Sequence, residues 1–229
     1  MIINWGDAPF KAFITVTYPS GTCTVTGNGQ TYTHTGGGTT TFTVKKKGTY
    51  TVKATDTNAS ASASVTIEKN GETISKTLKY ELLLFNSGLV SGIDWTMTKS
   101  NDNSASHSIG STLKCSLRGG QIALSTSSTI NLSKYNTLYF LVSSASIGDD
   151  TQSSYVGARV GIGSSKSSGS VNNIGQMSSA KKVCSNNSSV SNKTVSLDIS
   201  STTSAYVKIA VGTTHVAGSM TVTKVWATS

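Results

Sequence analysis

The side chains able to do acid, base or metal chemistry are few in this 229-residue chain, and they are scattered. There are ten carboxylates: Asp7, Asp56, Glu68, Glu72, Glu81, Asp94, Asp102, Asp149, Asp150 and Asp198. The three histidines, His34, His107 and His215, stand far apart, and the three cysteines, Cys23, Cys115 and Cys184, form no C-x-x-C pair. A hydrolytic site needs titratable groups gathered in one cleft, and a zinc site needs closely spaced ligands. Neither pattern is present, so the expectation is a protein that is not an enzyme, with no catalytic residue, metal or cofactor. Asp149-Asp150 is the one adjacent acidic pair. Neighbours in a strand point to opposite faces, so these two read as a solvated loop. The oxygen-rich stretch Asn101-Asp102-Asn103-Ser104 lacks the downstream Glu of a calcium loop and reads as a turn. Each cysteine reads as a small apolar residue, Cys23 sharing a strand face with Val25.

Sugar recognition asks for different residues: an aromatic face for the apolar side of the ring, and fixed amides, hydroxyls or cations for its polar edge. Tyr155 and Arg159 share a face by period two, with Asn172, Asn173 and Gln176 close in sequence. These five are the candidate glycan-binding residues. Tyr139, Phe140, Tyr206 and Trp226 lie in apolar strands and read as packing. At the other end of the chain Trp5, Phe10 and Phe13 form an apolar cluster that either caps the first domain or makes an assembly contact with a neighbouring subunit, for instance as an arm that adds to another sheet.

The elements that must position these residues are strands. Ser contributes 39 residues and Thr 34, about a third of the chain, and they alternate with Val, Ile, Leu and Tyr. That alternation gives sheets with hydroxyl-covered outer faces and excludes a helical bundle. Residues 12 to 80 contain seven short runs punctuated by Pro19-Ser20-Gly21, Gly27-Asn28-Gly29, Gly36-Gly37-Gly38 and Lys45-Lys46-Lys47-Gly48. Lys69-Asn70-Gly71-Glu72 reads as a final hairpin turn. Beyond residue 80 the spacing loosens into about nine strands, with long polar loops at 164–173 and 185–192. The expected architecture is all-β, two β-sandwiches, with a boundary between residues 1–80 and 81–229.

Two resemblances attach to these patterns. Ile14-Thr15-Val16-Thr17-Tyr18-Pro19-Ser20-Gly21, Thr41-Phe42-Thr43-Val44 and Gly48-Thr49-Tyr50-Thr51-Val52-Lys53-Ala54-Thr55-Asp56 resemble the small immunoglobulin-like modules of bacteria and phages. Residues 81–229, through Ile130 to Phe140, Val195 to Ser200, Ala205 to Val211 and Met220 to Trp226, are similar to galactose-binding-like jelly rolls of carbohydrate-binding modules. The resemblance implies an immunoglobulin-like sandwich followed by a jelly roll, in a phage structural protein of tail, baseplate, head fibre or capsid decoration. Its partners would be other virion proteins and a host-surface glycan, and the protein would be a homo-oligomer. A bacterial adhesin outside any virion is the alternative.

Charge and hydropathy bear on partners. The net charge of +9 is spread along the chain without a stripe of stacking aromatics, so no nucleic acid is expected. Leu82-Leu83-Leu84-Phe85, the longest apolar run, cannot cross a bilayer, so no membrane insertion is expected. The first residues, Met1 to Asp7, show no basic segment followed by an apolar one. The expectation is synthesis in a host cytoplasm and work in a virion.

Overall fold

The computed structural model describes residues 9–57, 59–100, 104–150, 156–167 and 177–229. The chain is all-β, and it divides into two compact units, residues 1–81 with Ser229, and residues 82–228.

The N-terminal unit has seven strands: β1 Ala12–Tyr18, β2 Thr22–Gly27, β3 Gln30–Thr35, β4 Gly38–Val44, β5 Gly48–Asp56, β6 Ala59–Ile67 and β7 Thr73–Thr77. They form a three-stranded sheet, β4-β1-β7, and a four-stranded one, β3-β2-β5-β6. Period-two alternation places Ala12, Ile14, Val16 and Tyr18 of β1 in the core. Cys23 and Val25 of β2 and Tyr50, Val52 and Ala54 of β5 are buried as well. The buried side chains of both sheets fill the space between them, which makes the unit a sandwich. Their outward neighbours are threonines that pair across strands, Thr15 with Thr41 at 3.0 Å and Thr17 with Thr39 at 2.9 Å. Asn28 and Gly29 adopt φ of 52° and 72°, the twist a two-residue hairpin needs, and join β2 to β3.

The hairpin expected at Lys69 to Glu72 is corrected by the pairing. β7 does not fold back on β6; it lies parallel to β1, with Ile14 opposite Ile74. The chain therefore crosses from one sheet to the other here. The turn is held by its own groups and by Lys11. Glu72 accepts from the backbone N–H of Glu68 and Lys69, and Asn70 accepts from the N–H of Lys11.

The C-terminal unit contains β8 Glu81–Asn86, β9 Trp95–Ser100, β10 Ser106–Ile109, β11 Leu113–Thr126, β12 Ile130–Asn131, β13 Thr137–Ile147, β14 Gly157–Gly163, β15 Ser179–Cys184, β16 Ser188–Asp198 and β17 Ser204–Thr228. The sequence reads Thr112–Leu117 and Gln121–Leu124 as two strands, and Ala205–Val211 and Ser219–Trp226 as two more. Each pair is instead one long strand, β11 and β17, which run antiparallel along most of their lengths. Their register breaks between Arg118 and Gly120, where Gly119 and Gly120 have φ of 92° and 86°. A Cβ on Gly119 would sit 2.7 Å from the Thr214 carbonyl oxygen, so only glycine allows this bend.

The bend lets the same two strands serve two halves of a sandwich. The first half orders the strands β9-β11-β17-β14-β15, and the second β10-β11-β17-β13-β16. Ile122, Leu124, Val207, Ile209 and Val160 supply core from the first. Leu113, Cys115, Leu138, Phe140, Val222 and Val225 supply it from the second.

Candidate functional site

Only part of the glycan-binding set expected from the sequence lies in the described residues. Tyr155, Asn172, Asn173 and Gln176 fall outside them; Arg159 is described and half-buried. It stands on β14, a strand paired on both edges, opposite Ala210 of β17 and Lys182 of β15. Of the assembly cluster, Trp5 is outside the described residues. Phe10 is half-buried, and Phe13 lies on the outer face of β1 with the Lys11 ammonium 5.3 Å above its ring.

The acidic pair is not a solvated loop. Asp149 is exposed, but Asp150 is buried, 2% accessible. Its carboxylate accepts from the Thr214 N–H at 2.7 Å and from the Thr214 hydroxyl, and its backbone N–H donates to Asn186 Oδ1 at 2.6 Å. The Asn186 amide donates in turn to the Asp150 carbonyl, and burial with these bonds makes the residue a bracket between the end of β13 and the bend of β17. Asn101, Asp102 and Asn103 lie outside the described residues. Among the described residues no group of three or more His, Cys, Asp or Glu side chains is placed to hold a metal. The three cysteines are free and buried, and burial pushes the Cys115 thiol up to about 12.

The aromatics sort by strand phase. Trp95, Tyr135, Phe85 and Phe140 are core, with Trp95 Nε1 donating to the Leu84 carbonyl at 3.2 Å. Tyr139 and Trp226, read from the sequence as packing, are instead half-buried on the outer face of the second half-sheet. Leu138 and Phe140 point into the core, so Tyr139 between them points out; Val225 and Ala227 do the same for Trp226. Pairing of β13 with β17 sets the two opposite each other. Their rings stack with centroids 5.1 Å apart and planes 13° from parallel, and the Lys224 ammonium lies 4.5 Å from the indole centroid. Among the described residues neither the Tyr139 hydroxyl nor the Trp226 indole N–H has a protein partner.

β13 lies between β17 and β16, and so Tyr139 has Trp226 on one side and the small, exposed Ser196 on the other. One ring face is therefore backed by indole while the other looks over a serine. Beside it opens a pocket of 490 Å³ lined by Asn136, Thr137, Lys181, Ser196, Asp198 and Ser200. Asp198 accepts from the Ser200 N–H at 2.9 Å, and that bond holds its carboxyl below the usual carboxylate range. An aromatic face next to an amide, hydroxyls, a carboxylate and a lysine is the set a sugar ring needs.

The first half-sheet carries a second polar group, covered by chain. Lys208 of β17 is fully buried, and its ammonium donates to the carbonyls of Ser165 and Ser167 at 2.8 and 2.7 Å. Thr98 of β9 donates to the Lys166 carbonyl at 3.0 Å, tying the same strap down from the other side. Met177 packs on Ala123 and Ala210 at the centre of this face. Gln121 of β11 is fully buried, and neither its amide nitrogen nor its amide oxygen has a partner.

Comparison with known proteins adds little at the level of sequence: no family model matches the chain, and no curated protein does. Among solved structures it is similar to a carbohydrate-binding module of the β-sandwich superfamily described as promiscuous in specificity. Identity there is 16%, coverage 96% of this chain and 98% of that one, and the TM-score 0.32. It is also similar to the CBM51-2 and INT domains of Clostridium perfringens ZmpB, at 12% identity over 79% of this chain and 39% of that one, with a TM-score of 0.24. TM-scores this low establish no shared topology.

Proposed function

We propose that this chain is a non-catalytic glycan-binding protein whose sugar site is the Tyr139 face and the pocket beside it. The stacked Tyr139–Trp226 pair carries this reading. A half-buried aromatic pair on an outer face, with unpartnered polar edges, gains less for folding than a core pair, since part of its surface stays in water. A pyranose laid on the free face of Tyr139 would bury the apolar sides of both rings. The stack on Trp226 holds Tyr139 in place beforehand, which lowers the ordering entropy that binding must overcome. Asn136, Ser200, Asp198 and Lys181 then face the ring hydroxyls.

The setting we propose is a phage virion, with residues 1–80 as an immunoglobulin-like spacer and 81–229 as the binding jelly roll. Trp5, Phe10 and Phe13 would contact other virion proteins or further copies of this chain. The strand pattern of residues 14 to 56 and the hydroxyl-rich, weakly charged surface support that setting. Fractionation of particles with peptide mapping tests it; recovery of the chain only outside particles would favour the free adhesin.

The binding reading is tested by screening the full chain on a glycan array and titrating the best ligand by calorimetry. Tyr139→Ala should weaken binding by about tenfold or more, which is about 1.4 kcal/mol, while Tyr139→Phe should bind nearly as the parent does. An array with no bound glycan, or full affinity in Tyr139→Ala, would overturn it.

A further inference from the structure

We infer that the covered face of the first half-sheet, from Lys208 to Gln121, is a second ligand site, one for a carboxylated sugar. It shares no residue with the Tyr139 site and does not depend on it.

The first observation is a charge without a counter-charge. Burying an ammonium is expensive unless it is paired. Lys208 is fully buried, and among the described residues it has two backbone carbonyls but no carboxylate. An ammonium has three donors, so one is unused. No acidic residue occurs between Asp102 and Asp149, between Asp150 and Asp198, or after Asp198. The strands of this half-sheet, β9, β11, β14, β15 and the first half of β17, thus carry no carboxylate at all. Asp150 is buried, but Thr214 engages it. Cations, by contrast, accumulate on this face. Arg159 lies one rank along and one strand across from Lys208, Lys182 sits opposite Arg159, and Lys166 lies 6.0 Å from the ring of Tyr206. These cations give the face a positive field, and within it Lys208 is held by carbonyls alone among the described residues.

The second observation is the Gln121 amide, fully buried with both polar atoms unpartnered. Such a group forfeits the hydrogen bonds it would make in water and is rare in a native core. Register puts Gln121, Ala123 and Ser125 of β11 on the face that carries Gly212, Ala210 and Lys208 of β17. Lys208 and Gln121 therefore stand two ranks apart, roughly 13 Å of strand at ~3.3 Å per residue, about the reach of a disaccharide. Between them the floor is Ala123 and Ala210, side chains small enough to seat a ring, and Met177 fills that space. Met is the apolar residue most easily moved aside.

The fit follows from these positions. A sugar acid would place its carboxylate on the free Lys208 donor, with Arg159 beside it. Its ring would take the place of Met177 on the alanine floor. A hydroxyl or acetamido group at the far end would satisfy the Gln121 amide. The strap at Ser165 to Ser167, latched by Lys208 and Thr98, closes over the carboxylate end. A neutral sugar would leave the ammonium as it is, and an inorganic anion would leave the amide as it is. Specificity thus comes from needing both.

The test is titration of the full chain with trigalacturonate, followed by NMR chemical shifts and by calorimetry. Neutral galactotriose and inorganic phosphate serve as parallel probes. Around Lys208 and Gln121, read from the amide shifts of β11 and β17, saturable binding is expected for the sugar acid alone. Lys208→Met should weaken it by about tenfold or more while the chain stays folded, and Gln121→Leu should weaken it by several fold. Trp226→Ala should leave it unchanged, which separates this site from the other. The inference is overturned if trigalacturonate does not saturate, if phosphate matches it, or if Lys208→Met and Gln121→Leu both bind as the parent does. Should Lys208→Met fail to fold, Gln121→Leu alone decides.

Discussion

In the N-terminal unit the described residues buried on the strands are all apolar or aromatic, and the hydroxyls outside pair with one another across the strands. In the C-terminal unit Gln121, Ser125, Thr126, Asp150, Lys208 and Thr213 are all buried, and among the described residues they are the whole set of buried polar side chains. The same composition has been folded to two ends. In the first unit the pleat alone separates apolar from polar among the described residues. In the second, chain segments lie across a sheet face that carries polar groups, and the segment Ser165 to Ser167 meets Lys208. Buried polar groups are kept in proteins where geometry must be specified, and both proposed ligand sites lie in residues 82–228.

The largest effect should come from the apolar core of the first unit. Tyr50 is fully buried and its hydroxyl donates to the Lys46 carbonyl at 2.8 Å. Tyr50→Ala should therefore destabilise that unit by about 3–5 kcal/mol. Amide hydrogen exchange followed unit by unit would show it. Equal loss of protection in β11 and β17 would break the distinction between the units.

A smaller and opposite effect is expected in the second unit. Burial lowers the Lys208 ammonium from 10.5 to about 8. Between those values the unfolded chain holds the proton that the folded chain has shed, so raising the pH favours the folded state. Stability of the second unit, measured against Lys208→Met by denaturant titration, should rise from pH 8 towards pH 10.5. A flat difference would mean that the ammonium is not desolvated.

The smallest change should follow removal of a surface hydroxyl pair. Thr15→Val in the first unit breaks the 3.0 Å bond to Thr41 but keeps the branched shape, and its effect should stay within about 0.5 kcal/mol. A larger loss, read from the same denaturant curves, would make the hydroxyl ladder a source of stability instead of a coating.

Much of the first unit could be read from residue order. Alternation of Ile14, Val16 and Tyr18 with threonines places β1, and Asn28-Gly29 places a hairpin turn, because pleat and turn are properties of a few adjacent residues. Asn70-Gly71 is as good a turn signal, yet it leads across to the other sheet. Which strand β7 joins depends on β1, more than fifty residues earlier. The glycines at 119 and 120 mark a break equally well for two strands or for one bent strand. Only the continuous pairing with β17 decides for the bent strand.

The sites divide in the same way. Strand phase by itself turns Tyr139 and Trp226 outward, since Leu138, Phe140, Val225 and Ala227 claim the core. That the two rings stack is a fact of β13 pairing with β17 across the length of the unit. Phase also turns Lys208 outward, between Val207 and Ile209, which by residue order alone means into water. Composition and alternation thus determined an all-β chain with hydroxyl faces and almost no acid. Tertiary structure decided that Lys208 is dry, because the strap that covers it comes from a loop some forty residues away, and no local periodicity records where a loop will close.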